Sequence, residues 1–587
     1  MESDAPFAVE ADEDARLRSA RQRSEYLSEE TPLLLERDSE STAGGAGSPD
    51  IDNKPWLRAK DFEEKPLWRR PSIWWLIPPL LPFTLAFGGL AVPKLNLILT
   101  LICRDYFKDL ASRDPQFTHL PVVFGEDNDQ CQIPEVQSLV MRFNLYYNLV
   151  SGLLAAVMSP RLGDLSDRYG RKRLMALSTL GVLMGEVFTI IVATRPETAS
   201  VKLLLVGAFV DGLCGSFTTG LALVHSYAAD CSPPERRNVV FGYFHGVLFT
   251  GLALGPFLVG LLIKLAGNVV VVFYTVLACH TFYFLMVAFV IPESLSKERQ
   301  RSAREKHRAK QLDEEGSSAW VSLRDLNPAN LLKPLEILFP KADRPDFLSP
   351  SRRKLLAALR RNLILLASID TLLFGVAMGT MQVIVIYAEY MFGWHDVESS
   401  IFVSIASTVR VITLLVVLPA LTRLIRGPQS GQRANSGCDQ LDIGIIRLSI
   451  LFDLAGYIGY ATVRTGGLMT LSAMVAAIGG MGSPTLQSSL TKHVPPERTG
   501  QILGATGLLH ALARVIAPTV FNLIYSVTVG KFTQAVFVCL ASVFGLALIL
   551  SWFIQPNVSF PMSPPSSPPA EPTYGALDEE EAAPLHS

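Results

Sequence analysis

The stretch "GDLSDRYGRKR", Gly163 to Arg173, lies between two apolar runs, Val136–Met158 and Leu174–Ala193. Helices over those runs are long enough to cross a hydrocarbon layer of ~30 Å at ~1.5 Å per residue. Arg168, Arg171, Lys172 and Arg173 make the connection strongly basic, and Asp167 adds a carboxylate. Lys and Arg collect in the cytosolic loops of membrane proteins, so this connection is predicted to face the cytosol. Basicity alone does not explain Gly163, Asp167 and Gly170 at their spacing.

The rest of the chain agrees with a membrane reading. Its 587 residues are 49% hydrophobic and 18% charged, with a mean hydropathy of +0.30. A soluble protein of this length is less apolar and more charged. A net charge of -2 gives no argument for a nucleic-acid partner, and the basic residues cluster beside apolar runs. No zinc-type Cys/His spacing, phosphate-cradling glycine loop or nucleophile motif is present, so we expect no enzyme, no metal and no cofactor.

Working outward, six apolar segments fall near Ile73–Leu101, Val136–Met158, Leu174–Ala193, Leu203–Ala228, Val239–Leu265 and Val269–Ile291. Six more follow near Leu363–Met391, Ile401–Leu424, Ile445–Val463, Leu468–Leu490, Ile502–Val527 and Phe532–Phe553. They are numbered segments 1 to 12 below. The predicted organisation is an all-α membrane protein with twelve spans in two six-helix halves, 73–292 and 361–554. Polar tails cover 1–72 and 555–587, and a linker with an amphipathic helix covers 293–360. The lysines and arginines of the short loops place both tails and the linker in the cytosol. Pro233-Pro234-Glu235-Arg236 follows segment 4, and Pro495-Pro496-Glu497-Arg498 follows segment 10. Pro233 and Pro495 are 262 residues apart, as are Pro256 and Pro518. Two features in one register argue for duplicated halves, the architecture of alternating-access transporters.

The stretch Gly163–Arg173 resembles the signature loop of the major facilitator superfamily, Gly-x-Leu-(Ser/Ala)-Asp-(Arg/Lys)-x-Gly-(Arg/Lys)-(Arg/Lys). The resemblance implies a gating role for Gly163, Asp167, Arg168, Gly170 and Arg171. In that family the loop aspartate lies near the cytosolic end of a helix of the other half and helps hold the outward-open state. "GLALGPFLVG", with Gly251, Gly255, Pro256 and Gly260, is similar to the segment-5 motif of drug/proton antiporters. A close-packing seam with no bearing on direction is the other reading of those glycines. Ala208 stands where many such antiporters carry an arginine. Segments 4 and 5 also look like proton-coupled folate-type carriers and tetracycline exporters, and the whole resembles a eukaryotic, fungal-like member.

Ionisable residues inside spans are unfavourable there and tend to line cavities or proton routes. Lys94, Arg142, Glu186 and Asp211 share a depth of ~10 Å from the non-cytosolic ends of segments 1 to 4. We expect either a network whose carboxylates take up a proton or a static ion-pair cluster. Asp370, Arg410, Asp453 and Arg514 are the corresponding charges of the second half. Arg410 and Arg514 either bind an anionic solute group or pair with Asp370 and Asp453. Gln382 is a candidate cavity residue, and Asp370 joins Glu186 and Asp211 as a proton-coupling candidate. His225, His245, His280 and His510 titrate near neutrality, though a structural role suits each one taken singly.

The resulting expectation is a transporter of a small organic solute, coupled to protons, with export or sequestration ahead of import by symport. A non-transporting receptor on the same fold is the rival from another class. Glu29 and Glu30 precede Leu33, Leu34 and Leu35 in overlapping acidic-dileucine patterns, which resemble adaptor-read signals for vacuolar or lysosomal membranes. The plasma membrane is the alternative. Cys103 and Cys131 flank one polar loop; two free thiols are the favoured reading, and a disulfide requires an oxidising lumen.

Overall fold

The computed structural model describes residue 62 and residues 66–113, 120–125, 129–313, 333–340, 350–394, 396–426 and 437–558. All of them belong to one compact unit within Asp50–Ser559. The tail residues Glu29, Glu30 and Leu33 to Leu35 lie outside the described residues.

Every regular element among the described residues is helical. Among the described residues, nine helical runs are long and apolar enough to cross a membrane, corresponding to segments 1, 3 to 8, 10 and 11. Segments 2, 9 and 12 are also helices, over Pro134–Tyr169, Gln440–Thr462 and Ala535–Ser551. Pro134 opens its helix at the first position, where a missing N–H leaves no helical bond unmade. That helix has 36 residues and so runs ~54 Å. It carries the polypeptide from Cys131 at one end of the bundle, the disulfide end, to Gly163–Arg173 at the other, the motif end.

Cys103 and Cys131 are joined, with Cα atoms 5.6 Å apart, which corrects the free-thiol reading. Their sulfurs are buried among Leu97, Phe107 and Val136. Sequence spacing alone does not report that the helix of segment 1 continues to Arg113 and turns its Cys103 towards the returning chain.

Three segments expected to be continuous are interrupted, segment 1 between Ile77–Gly89 and Ala91–Arg113. Segment 4 consists of Leu203–Leu213 and Ser216–Cys231, separated where Gly215 and Ser216 have φ of 91° and 54°. Segment 10 consists of Gly466–Ile478 and Gly482–Lys492, joined by a 3-10 turn, Gly479–Met481. The breaks in segments 4 and 10 fall at nearly equivalent places in the two halves, as in transporters that build sites from discontinuous helices. In the linker the α-helix is the charged stretch Lys297–Asp313, and Lys333–Leu338 is a 3-10 turn. Segment 7 starts early, as a helix from Pro350 to Phe392.

Segments 1 and 5 pack along glycines. A Cβ on Gly255 would lie 2.5 Å from the Leu85 carbonyl oxygen, and one on Gly89 would lie 2.9 Å from that of Gly255. Gly251 likewise lies against the backbone of Thr84, whereas Gly260 has nothing within 4 Å. The segment-5 motif thus forms a helix seam, the packing alternative raised by the sequence. The halves meet where segment 2 packs on 11, segment 5 on 8 and 10, and segment 4 on 11.

Candidate functional site

At the motif end, Gly163–Arg173 clasps the first turn of the segment-11 helix, Thr499–Thr528. Asp167 accepts hydrogen bonds from the backbone N–H groups of Gly500 (3.1 Å) and Gln501 (3.0 Å). Those N–H groups have no partner within their own helix, and the helix dipole adds to the attraction for a carboxylate. The approach requires glycine on both sides, since a Cβ on Gly163 would strike the Gly500 carbonyl and one on Gly500 would strike Arg171. Gly170 has φ of 100° and turns the chain between two helices, with no room for a side chain beside Glu293.

Arg171 is fully buried and bridges two carboxylates, Asp167 at 2.6 Å and Asp230 at 3.0 Å. Glu293 accepts from the backbone N–H groups of Arg171 (2.8 Å) and Lys172 (3.1 Å), capping the segment-3 helix. Arg168 does not serve Asp167: it pairs with Asp164 one turn back, and Gln501 donates to that same Asp164 at 2.9 Å. Arg168 therefore reaches the clasp only through Asp164. Nine residues beyond the apolar run, Asp167 is buried, which pushes its carboxyl up to about 6 against the downward pull of Arg171. Burial also raises Glu293.

A second ion cluster lies at the same end. Asp442 pairs with Lys492 and, at 3.1 Å, with Arg426, while Arg426 also reaches Asp439 at 2.8 Å. Across the halves, Asn238 donates to Asp442 at 3.5 Å and Arg237 to Thr491 at 3.4 Å. Asp164, Asp230, Glu293, Gln501 and Asp442 were not singled out in sequence. Their position beside the basic loops was the available signal.

The mid-bundle charges separate into pairs instead of one four-membered network. Lys94 donates to the Tyr147 hydroxyl at 2.8 Å. Glu186 pairs with Nδ1 of buried His280, whose Nε2 lies 3.0 Å from the Phe83 carbonyl oxygen. Each ring nitrogen of His280 thus faces an acceptor oxygen. Asp211 accepts from Ser151 (3.0 Å) and Ser216 (2.7 Å), next to the break in segment 4. Arg142 is exposed and makes no ion pair among the described residues.

In the second half, Asp370 is fully buried and accepts from Ser483 at 3.0 Å. It also meets His510 Nε2 at 3.0 Å, and Phe374 stacks on that imidazole with centroids 4.2 Å apart. Gln487 donates to Ser483 at 3.2 Å. From the first half, His225 stacks on His245 at 5.0 Å and on Phe241 at 4.5 Å. Both histidines lie within electrostatic reach of His510. The histidines considered singly in sequence thus form, with Asp370, one cluster spanning both halves. His280 belongs elsewhere, with Glu186.

Asp453 faces Gly479 in the interruption of segment 10, with Arg410 as its cationic neighbour. The Arg410 guanidinium also lies 4.7 Å over the Phe249 ring. Arg514 is half-buried and makes no hydrogen bond or ion pair among the described residues. The side chain of Gln382 lies outside the described residues. An apolar cavity of about 50 Å³ lies inside the first half, lined in part by Phe83, Thr179, Phe217 and Tyr283.

Residues 146–518 match the Major Facilitator Superfamily as a family. The chain belongs to this superfamily. Its members are transporters rather than enzymes, and the chain is accordingly a multi-pass integral membrane protein. It is 30% identical to the MFS-type transporter avaJ of Aspergillus versicolor over 501 residues, 84% of this chain and 91% of that one. It is 23% identical to the lysosomal proton-coupled steroid conjugate and bile acid symporter SLC46A3 of Gallus gallus, over 71% of this chain and 81% of that one. Among solved structures, the human organic anion transporter MFSD10 (TETRAN) has a similar fold, with a TM-score of 0.59 at 18% identity. That similarity covers 83% of this chain and 100% of the other.

Proposed function

We propose that the chain is a proton-coupled secondary transporter of a small organic solute, with Asp370 and His510 as the coupling pair. The observation that carries this reading is a buried carboxylate bonded to an imidazole where segments 4, 5, 7, 10 and 11, from both halves, converge. A carboxylate and an imidazole at 3.0 Å share a proton readily, and burial ties the position of that proton to the arrangement of the halves. Asp370 and His510 both belong to the second half but are faced by His225 and His245 of the first, whereas Glu186 with His280, and Asp211 with its two serines, are bonded to first-half residues, which makes them secondary candidates. That the Gallus gallus relative is a proton-coupled symporter supports the same reading.

In this proposal twelve segments span the bilayer as halves 73–292 and 361–554, and the motif end faces the cytosol with both tails and the linker. The clasp between Asp167 and segment 11 then represents a state closed to the cytosol. The glycines of segment 5 supply a packing seam, so the antiporter-like motif no longer favours export over import. The acidic-dileucine patterns at Glu29 to Leu35 and the lysosomal relative support a vacuolar membrane, with a sorting adaptor as partner. A tagged variant with Leu33, Leu34 and Leu35 changed to Ala should leave that membrane; an unchanged location ends the sorting idea.

The coupling test uses full-length chain in proteoliposomes containing pyranine, challenged with anionic, neutral and cationic organic solutes. Solute-dependent proton movement is expected in the wild type and in Asp211→Asn, and is lost in Asp370→Asn and His510→Gln. Retention of proton movement in Asp370→Asn refutes the assignment.

A further inference from the structure

We infer that Arg514 anchors an anionic group of the solute, so that the transported compound is an organic anion held one helical turn from the Asp370–His510 pair. The inference rests on the transport reading above and adds the chemical class of the ligand.

Helical spacing places Leu503, Gly507, His510 and Arg514 on one face of the segment-11 helix. That face looks into the other half: a Cβ on Gly507 would meet Ser159 of segment 2 and Ala222 of segment 4. Burial weakens along it, from Leu503 at 2% and His510 at 4% exposed to a half-buried Arg514. Arg514 is therefore less enclosed than His510 and lies one helical turn nearer the disulfide end.

Apart from Arg142, which is exposed, the other charges picked out inside the spans have neighbours. Asp370 is bonded to His510 and Ser483, Glu186 to His280, and Asp211 to Ser151 and Ser216. Asp453 faces Arg410, and Lys94 is bonded to Tyr147. Half-buried Arg447, near the motif end of segment 9, donates to the Ser551 carbonyl and lies over the Trp552 ring, whereas Arg514 is a partly desolvated cation in mid-segment with no hydrogen bond or ion pair among the described residues. A guanidinium in that setting is unfavourable until an anion arrives, and its planar fork suits a carboxylate or sulfonate.

A bound anion also changes the proton balance at His510. Positions four apart on a helix bring Cβ atoms to about 5–6 Å, so an unneutralised Arg514 repels an imidazolium at His510. Asp370 attracts it, and His225, His245 and, beside His245, Arg410 face the same region. Neutralising Arg514 removes one repulsion, so solute and proton strengthen each other's binding reciprocally. Coupling of that sign moves both in one direction, which is symport.

The test titrates full-length chain in phosphatidylcholine nanodiscs with 2-naphthoate and with its neutral analogue 2-naphthamide. Losing a charge-assisted hydrogen-bonding partner is worth ~1.5–3 kcal/mol, or about 10- to 100-fold in affinity. Wild type should bind naphthoate at least ~10-fold more tightly than the amide, Arg514→Gln should bind the two equally, and Arg514→Lys should regain part of the preference. No preference in the wild type, or an undiminished one in Arg514→Gln, overturns the inference. Asp370→Asn should keep the anion preference while losing its pH dependence. Equal binding of naphthoate and naphthamide by the wild type, with solute-dependent proton movement still lost in Asp370→Asn, spares the coupling assignment and rejects the ligand class.

Discussion

Changing Asp167 to Ala should loosen the motif end by an amount that follows from its contacts. The carboxylate accepts two backbone N–H bonds across the halves, at 3.1 and 3.0 Å, and neutralises part of buried Arg171. Bonds to a charged group contribute ~1.5–3 kcal/mol each. Burial of the carboxylate offsets part of this gain, so the lower value is the better guide. Two such bonds give ~3 kcal/mol, or about 150-fold in the closed-to-open ratio. Hydrogen exchange of the Gly500 and Gln501 amides reads that ratio directly, because those amides are released only when the clasp opens. Their protection should fall about 150-fold in Asp167→Ala and less in Asp167→Asn, which keeps an acceptor oxygen. The rest of the segment-11 helix should stay protected. A change below about fivefold at those two amides refutes the view that this carboxylate holds the halves together.

Other expectations follow from the same contacts. The Asp167 carboxyl titrates at about 6 in the clasp against 3.8 ordinarily. A raised acid favours the closed state below its ordinary value and loses that contribution as pH rises through about 6. Protection of Gly500 should therefore decline between pH 4 and pH 7 in the wild type, with no such trend in Asp167→Asn. Gly251→Val forces a side chain into the Thr84 backbone and should destabilise by ~1–3 kcal/mol, whereas Gly260→Ala should leave the melting temperature unchanged. Cys103→Ser opens a loop of sequence separation 28, for which chain entropy suggests a loss of ~3–4 kcal/mol. Wild type treated with reductant should melt at the same lowered temperature as the Cys103→Ser variant.

By itself, the sequence determined the helical membrane architecture, the superfamily and the paired registers of its halves. Spanning length, loop charge and the glycine–aspartate spacing of the 163–173 loop are local properties, written in contiguous residues. It also picked out each interior charge, because an ionisable side chain in an apolar run is conspicuous wherever it points. Partners were a different matter. Spacing along separate helices does not say which faces meet, so the depth argument joined Lys94, Arg142, Glu186 and Asp211, whereas packing joined Glu186 to His280 and Lys94 to Tyr147. Helix rotation decided that Arg168 would serve Asp164, that Asp370 would meet His510, and that Arg514 would be left without a counter-ion. The break at Gly215–Ser216 was equally hidden: there Ser216 donates to Asp211 five residues back and accepts from Ser151 of segment 2. Long-range contact between helix faces, absent from any linear pattern, made those choices.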